Sequence, residues 1–162
     1  DWMRACAEAL GREGKPVEWV TPSGFPCRMR YLDQEDKRIE VNGIKLTIKS
    51  DLPEVDVAAQ MRGVVANVVH SLDASHLVLT CHGVMEDGLT SFQFIHDSYG
   101  THAGAIHVVE KRLREQFVEM HTENLVMGLH DWMVESGVEV PEPPPMGSLD
   151  INSVLNSKYF FA

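Results

Sequence analysis

The sequence predicts an α+β fold, in which helices pack on a small antiparallel sheet and a separate β-hairpin projects from it. Apolar residues recur at helical spacing in several long segments. Two pairs of short segments with strand-like patterns are each joined by a tight turn, one at residues 42–43 and one near residue 97. The length of 162 residues, with 44% apolar and 23% charged residues, suits one compact domain or a piece of a larger one.

The first part of the chain predicts a helix followed by a strand. Residues 2–12 have the spacing of an amphipathic helix that ends at glycine. Its apolar face consists of Trp2, Cys6, Ala9 and Leu10. Residues 17–20 predict a short strand, and the Pro- and Gly-containing residues 21–26 predict the connection that follows it.

Residues 37–49 predict a β-hairpin with Asn42 and Gly43 at its tip. An Asn-Gly pair supplies the two positive-φ positions of a type I′ turn. A two-residue loop fixes four cross-strand pairs: Val41 with Ile44, Ile39 with Leu46, Glu40 with Lys45, and Arg38 with Thr47. One face of the hairpin is therefore apolar and the other polar, with net positive charge toward the open end.

The middle of the chain predicts two helices and a second hairpin. Pro53 begins the unit, residues 54–70 and 71–86 are two helices by pattern, and Asp87 with Gly88 closes the second. Residues 91–96 predict a strand. A turn at Asp97 and Ser98 then leads into a return strand that starts at Tyr99.

The last part predicts mostly helix. Residues 104–121 are the strongest amphipathic helix of the chain, and residues 124–136 are another. A stiff, extended, proline-rich connector follows at 141–145. Residues 149–155 predict a short helix, and residues 159–162 are an aromatic tail.

Charge and composition limit the possible functions. The net charge is −10, whereas nucleic-acid-binding domains are usually basic. The cations concentrate in residues 28–49, and Lys and Arg are absent between Arg114 and Lys158, so nucleic acid is expected to contact the first half of the chain. The three widely spaced cysteines favour buried thiols over a disulfide framework. No signal peptide or membrane-spanning run is apparent, and we expect no membrane partner.

The sharpest chemical feature is Asp97, which follows an apolar strand at a tight turn. Such a turn can place one carboxylate in a cleft at the edge of a sheet. Phosphoryl transfer uses carboxylates to hold Mg²⁺ near the reacting phosphate. Two such ions about 3.5–4 Å apart can serve the attacking and leaving oxygens. Spacing alone favours the simpler alternative, in which Asp97 only serves the turn.

Five segments carry a family resemblance. In chain order they are residues 14–26, 67–77, 96–103, 114–118 and 159–162. They resemble segments of the single-subunit RNA polymerases of bacteriophages and mitochondria. In that family the segment that 14–26 resembles precedes the promoter-specificity hairpin, and the one that 67–77 resembles is a palm helix near the primer end. Residues 96–103 resemble polymerase motif C, and 114–118 resemble the segment that follows it. Residues 159–162 resemble the family's aromatic C-terminus. The resemblance covers essentially the whole sequence.

The resemblance implies a role for three residues of the active site. Asp97 would be the second of two metal-binding aspartates, with Mg²⁺ as the cofactor, and His96 would lie beside it near the RNA 3′ end. His70 would lie near the ribose of the incoming nucleotide, where an imidazole can donate to a 2′-hydroxyl. Helix packing is the alternative for His70 and the favoured role of His76. The six-residue spacing of His70, His76 and His82 does not predict a zinc site.

The resemblance also divides the chain into three regions. Residues 27–50 would be a specificity-loop-like hairpin that reads promoter DNA, residues 67–103 the palm with motif C, and residues 104–162 a helical part with the aromatic tail close to the active site. A two-stranded ribbon fits the DNA major groove. The candidate DNA contacts are Arg38, Asn42, Lys45, Thr47 and Lys49. The alternative is a hairpin that only packs on its neighbours.

The function implied is DNA-directed RNA synthesis, with promoter DNA, template strand, nascent RNA and nucleoside triphosphates as partners. In the family, the first metal-binding aspartate and a helix with the Lys and Tyr that handle the triphosphate lie upstream of this sequence. The chain lacks an initiator Met and is expected to be part of a larger enzyme, inactive alone. We favour a phage protein in the bacterial cytoplasm, with the mitochondrion as the alternative.

Two other classes of function stay open. The chain could be a non-catalytic DNA-binding or structural-completion module, in which case Asp97 would be replaceable. It could also be a metal-dependent phosphohydrolase built around His96 and Asp97. That class usually places its His-Asp pair on a helix, whereas residues 91–96 predict a strand.

Overall fold

The computed structural model describes residues 2–160 and has the predicted α+β architecture, with helices and small antiparallel ribbons. The helices are α1 (Trp2–Arg12), α2 (Val57–Glu86), α3 (Ile106–Thr122) and α4 (Leu125–Glu135). The strands are β1 (Glu18–Val20), β2 (Pro26–Arg28), β3 (Leu32–Val41), β4 (Ile44–Val55), β5 (Phe92–Ile95) and β6 (Ser98–Thr101). Short 3₁₀ helices cover Ala103–Ala105 and Ile151–Asn156.

The described strands form three two-stranded antiparallel ribbons rather than one sheet. Each ribbon pairs neighbours in sequence: β1 with β2, β3 with β4, and β5 with β6. Among the four helices of residues 2–160, only α2 lies between two ribbons along the chain, and each strand finds its partner locally across a short connection. The ribbon of β5 and β6 is the part that carries Asp97 at its turn.

The main core lies where α1, α2 and α4 meet β1. Its buried side chains are Cys6, Ala7, Leu10, Val17, Trp19, Met29, Val64, Val68, Leu129, Met133, Val138 and Val140. The fully buried amide of Gln60 ties α2 to this layer, because it donates to the carbonyl of Met29 at 2.7 Å and accepts from the amide of Val17 at 3.2 Å. The indole of Trp19 donates to the hydroxyl of Ser71 at 3.0 Å.

The structure corrects the predicted boundaries around Pro53. Strand β4 continues through Pro53 to Val55, and a single helix of 30 residues replaces the two predicted helices. Proline is tolerated there because the ladder is irregular between Leu32 and Gln34, and proline in strands is found at bulges and edges. The helix begins at Asp56, whose side chain accepts from the amide of Ala59 at 2.8 Å. It ends at Asp87, as predicted.

Helix α2 is long and apolar enough to cross a membrane by length and composition. An 18-residue window has a mean hydropathy of 1.3, and 28% of that window is buried. This differs from the expectation that no segment approaches a spanning length. One such helix is weak evidence for a membrane span, because core helices meet the same criterion.

Helices α2 and α3 are held together by three polar and steric contacts. The imidazole Nε2 of buried His76 lies 2.8 Å from the carbonyl oxygen of Leu113. Arg112 donates twice to Asp87, with both distances at 2.7 Å, and these hydrogen bonds lower the pKa of that carboxyl group. A side chain at Gly83 would place its Cβ 3.2 Å from Arg112 Cδ, so glycine permits this approach.

The C-terminal elements agree broadly with the prediction. Helices α3 and α4 lie within two residues of their predicted bounds. The predicted helix at 149–155 is a 3₁₀ helix at Ile151–Asn156, and Asp150 caps it by accepting from the amide of Asn152 at 3.0 Å. Of the aromatic tail, residues 161 and 162 lie outside the described residues.

Candidate functional site

The turn between β5 and β6 presents His96 and Asp97. Ile95 pairs with Ser98, so the turn is formed by His96 and Asp97, one residue earlier than the predicted turn at Asp97 and Ser98. The earlier position follows from the pairing of Phe94 with Tyr99, which brings Ser98 into the return strand. His96 has a φ of 54°, a left-handed conformation that is uncommon for residues other than glycine.

Asp97 lines a cleft of about 400 Å³. One wall is the turn and the start of β6, and the other is one face of α3. The lining side chains are Asp97, Ser98, Tyr99, Ile106, Val109, Glu110, Leu113, Arg114 and Phe160. The carboxylate of Asp97 is exposed and makes no hydrogen bond or ion pair within residues 2–160. It is therefore available to bind a ligand in the cleft.

A series of aromatic rings supports the turn from behind. Tyr99 lies 4.9 Å from Phe94 and 6.3 Å from His76, measured between ring centroids. His76 in turn packs edge-on against Phe117 at 5.4 Å. Burial raises the pKa of the Tyr99 phenol to about 12, and the carboxylates of Asp73 and Asp97 add to this effect. Tyr99 therefore keeps its proton at neutral pH.

Two histidines of α2, His70 and His76, have different environments. His76 is buried, with 4% of its surface exposed, and burial lowers its pKa below the ordinary value. This environment confirms the packing role favoured for His76. His70 is exposed on α2 and does not line the cleft with Asp97. Of the three candidate active-site residues, Asp97 lines the cleft, His96 is its neighbour in the turn without lining the cleft, and His70 lies apart on α2.

The projecting hairpin, β3 with β4, has the predicted register. All four predicted pairs occur, and Asn42 at the tip has a φ of 51°. The ribbon runs from Leu32 to Val55, so it is longer than the predicted hairpin at 37–49, and it begins and ends five residues after the predicted region 27–50. Its apolar face is open to solvent: Val41, Ile44, Leu46 and Ile48 are each 44–63% exposed. The hairpin therefore projects at these residues instead of packing on its neighbours.

The candidate DNA contacts share the opposite face of this hairpin. Alternation along the two strands places Arg38, Lys45, Thr47 and Lys49 on one side. Two of the cations face a carboxylate directly across the ribbon, Lys45 opposite Glu40 and Lys49 opposite Asp36. The face is thus a mixture of donors and acceptors rather than a uniformly basic surface.

At the base of the hairpin, Tyr31 anchors it to α2. Its phenol oxygen accepts from the amide of Asn67 at 3.1 Å, and its carbonyl accepts from the backbone amide of Asp56 at 3.0 Å. A Cβ at Gly63 would lie 2.8 Å from the Tyr31 ring, so glycine is needed for this contact. The base of the hairpin is therefore fixed to α2, whereas Val41 and Ile44 beside its tip are exposed to solvent.

A divalent metal at Asp97 would find the carboxylate of that residue in the cleft. Among residues 2–160, no cluster of three or more His, Cys, Asp or Glu side chains is arranged to hold an ion. Mg²⁺ is usually bound through one or two carboxylates, with waters and substrate phosphates as further ligands. Asp97 suits one of these positions, and the carboxylate of Glu110 on α3 lines the same cleft.

Sequence reasoning gave no role to two charged side chains that line the cleft, Arg114 and Glu110. Arg114 lies in one of the segments that carry the family resemblance, which was the available signal. Its position in the same cleft as Asp97 depends on how α3 packs against the β5–β6 ribbon. Phe160 also lines the cleft, so this part of the aromatic tail lies near the turn.

Comparisons with known proteins identify the family. The sequence profile of DNA-dependent RNA polymerase matches residues 1–138. The mitochondrial DNA-directed RNA polymerase 1 of Nicotiana sylvestris is 36% identical over 162 residues, which are 99% of this chain and 16% of that protein. The human mitochondrial DNA-directed RNA polymerase is 33% identical over 179 residues, covering 99% of this chain and 14% of that protein.

A shorter relative is matched along almost its whole length. DNA-directed RNA polymerase 1A of Nicotiana tabacum is 36% identical over 154 residues, which are 94% of this chain and 99% of that protein. The chain spans about one sixth of the length of the longer relatives named above. The names of those longer relatives are mitochondrial, which fits the alternative of a mitochondrial rather than a phage source. From its match to the family profile and to these relatives, the chain belongs to the single-subunit DNA-dependent RNA polymerases.

Proposed function

We propose that this chain is the C-terminal catalytic segment of a DNA-directed RNA polymerase and that Asp97 is one ligand of its catalytic Mg²⁺. The observation that carries the proposal is the position of Asp97. It is an exposed carboxylate without a protein partner among residues 2–160, at the turn of a β-ribbon and in a cleft of about 400 Å³. Membership of the polymerase family supports nucleotidyl transfer as the chemistry that this carboxylate would serve.

The residues around the turn would each have a separate task. Asp97 would contribute one carboxylate oxygen ligand, and His96 would contact the RNA 3′ end beside it. The protonated phenol of Tyr99 supports the turn without adding charge to the cleft. Bound divalent metal would offset the negative charge of the reacting phosphate. Because the family's first metal-binding aspartate lies upstream of this sequence, the segment would act only with the polypeptide that provides it, and would be inactive alone.

His70 would act on a different side of the substrate. It is exposed on α2 and has no role in the core, unlike His76. An exposed imidazole can donate to the 2′-hydroxyl of a ribonucleotide, the group that separates RNA from DNA. We assign His70 to the ribose of the incoming nucleoside triphosphate on this basis.

The projecting hairpin would read promoter DNA. Arg38, Lys45, Thr47 and Lys49 lie on one face, with Asn42 at the tip. A two-stranded ribbon fits the major groove, where side-chain donors and acceptors distinguish base pairs. Because two of the cations face carboxylates, the hairpin would contribute base recognition more than general attraction to phosphates. The template strand and nascent RNA would lie nearer to the cleft.

The organellar names of the relatives favour action in a mitochondrion over a bacterial cytoplasm. Import of a tagged full-length protein into isolated mitochondria would test it, since failure to enter the matrix would contradict it.

A primer-extension assay tests the central proposal. In a polymerase assembled with the preceding polypeptide, Asp97→Ala should reduce extension of an RNA primer by about a thousandfold or more, because it removes a metal ligand. Binding of the primer–template should change little. The matched control is Asp131→Ala, which removes an exposed carboxylate from α4. Normal extension by Asp97→Ala would favour the non-catalytic binding module instead.

A further inference from the structure

The C-terminal 3₁₀ helix is attached to α3 through one side chain. Arg114 Nη1 donates to the carbonyl oxygen of Val154 at 2.9 Å and to that of Ser157 at 2.7 Å. Its Nη2 lies 3.3 Å from a carboxylate oxygen of Glu110, one turn earlier on α3. The Arg114 side chain is 13% exposed, so these hydrogen bonds are largely shielded from water.

The same guanidinium also meets the tail beyond the 3₁₀ helix. Its central carbon lies 5.4 Å from the centroid of the Phe160 ring. Phe160 packs edge-on against Phe117 of α3, with 5.0 Å between centroids. Arg114 and Phe160 both line the cleft that contains Asp97. The tail is therefore part of the cleft wall, and Arg114 touches it at three successive points.

Contacts continue from the tail to the turn of Asp97. Phe117 packs against His76, and His76 lies beside Tyr99. Tyr99 follows Asp97 by two residues and lines the same cleft. A tail held against Phe117 thus supports one end of a continuous series of packed rings whose other end is the turn.

We propose that Arg114 is a positioning residue that clamps residues 151–160 onto α3 and so maintains the wall of the cleft facing Asp97. The clamp needs the shape of a guanidinium, because one planar group with fixed N–H directions serves two carbonyls and an aromatic face together. A lysine ammonium can keep the charge but cannot reproduce that arrangement. The role of this clamp in nucleotide addition rests on the proposed polymerase function.

Amide hydrogen exchange on this chain tests the clamp without any assay of catalysis. The amides of Ser153 and Ser157 donate within the last 3₁₀ helix, to Asp150 and Val154 respectively. Arg114→Ala should accelerate their exchange by about tenfold or more, because two charge-assisted hydrogen bonds are lost. Arg114→Lys should recover only part of the protection. Unchanged exchange in both variants would overturn the proposal.

Two neighbouring cations provide matched controls. Lys111→Ala removes an exposed charge from the same helix, and Arg112→Ala removes a guanidinium that binds Asp87 instead of the tail. Both should leave the exchange of Ser153 and Ser157 unchanged. If they accelerate it as much as Arg114→Ala does, loosening of α3 rather than a specific clamp is responsible, and the proposal fails. Should Arg114→Ala not fold, Arg114→Lys carries the same comparison.

Catalysis by the assembled polymerase tests the positioning role. Arg114→Ala should lower kcat for nucleotide addition by about tenfold, with little change in KM for the nucleotide, because the cleft wall is displaced while nucleotide contacts stay. Adding Phe160→Ala should cause little further loss, since both changes act on the same tail. A released tail with unchanged kcat would overturn the positioning role. Normal primer extension by the Asp97→Ala variant would instead contradict the proposed polymerase function. The hydrogen-exchange result would still support the contact between Arg114 and the tail.

Discussion

The imidazole of His76 on α2 donates a hydrogen bond to the carbonyl oxygen of Leu113 on α3, over a distance of 2.8 Å. The carbonyl can only accept, so Nε2 carries the proton in this contact. His76 is also packed between Tyr99 and Phe117. One buried side chain thus joins the two long helices and contacts the ribbon that carries Asp97.

This contact predicts a loss of stability in mild acid. Burial lowers the pKa of His76 from its ordinary value of 6.5, although the Leu113 carbonyl opposes part of that change. A histidine with a lowered folded pKa favours the folded state above 6.5, and this contribution is lost as the pH falls through the folded pKa. Urea unfolding should therefore show a smaller free energy of unfolding at pH 5 than at pH 7.5.

The variant His76→Gln separates His76 from other titrating groups. Its free energy of unfolding should depend less on pH over the same interval, although it should be lower at neutral pH. His82→Gln, an exposed position on the same helix, should keep the pH dependence of the parent. An equal slope in His76→Gln and the parent would show that other groups cause the acid sensitivity.

The buried amide of Gln60 predicts a large effect of a conservative change. Gln60→Leu keeps the volume roughly constant but leaves the Met29 carbonyl and the Val17 amide without their partner. An unsatisfied buried polar group costs about 1–3 kcal/mol, so we expect a destabilisation of about 2–4 kcal/mol. Urea unfolding gives this difference directly. Gln93→Leu, at an exposed position on β5, should change stability by about 0.5 kcal/mol or less.

Substitutions on the polar face of the hairpin should change promoter preference without changing the rate of RNA extension. Arg38→Ala and Lys45→Ala should each change the preference among promoter sequences by about 5- to 100-fold, the effect of losing one specific base contact. Extension on a preassembled primer–template should change little. Lys37→Ala is the control, because Lys37 lies opposite Ile48 on the apolar side of the ribbon. Equal losses in initiation and extension would point to a structural role for these side chains.

His70 predicts a change in sugar selection. In the assembled polymerase, His70→Ala should raise KM for ribonucleotides by about fivefold, the usual effect of one lost hydrogen bond, and KM for 2′-deoxynucleotides should stay the same. Competition between the two nucleotide types measures the ratio. His82→Ala provides an exposed histidine on the same helix for comparison. A parallel rise in both KM values would place His70 elsewhere on the substrate.

Local chemistry explains which parts of the fold were predictable. The hairpin register followed from Asn42 and Gly43, because a two-residue turn fixes every pair along the ribbon. The end of α2 at Asp87 and the strand before Asp97 also followed from short patterns. The prediction of two helices at 54–70 and 71–86 was wrong, because α2 continues without a break from Val57 to Glu86. The apolar pattern is helical on both sides of residue 70 and gives no sign of where a helix ends.

The candidate site likewise contains residues that the sequence identified and others that only the structure placed there. Asp97 and His96 were accessible from the sequence, because a strand, a turn and a family resemblance all mark them. Arg114 was visible as a residue of a matching segment, but its two carbonyl partners lie 40 and 43 residues further along the chain. No local periodicity reports a contact at such a separation.

By itself, the sequence determined the family, the α+β class, the hairpin register and the carboxylate at the β5–β6 turn. These depend on residues adjacent in the chain or on ordered similarity. Only the tertiary structure decided that the strands pair as separate ribbons, that His76 is a core residue, and that Arg114 and Phe160 share a cleft with Asp97. The physical reason is that packing between distant segments determines which side chains meet, whereas periodicity specifies only the face on which each one lies.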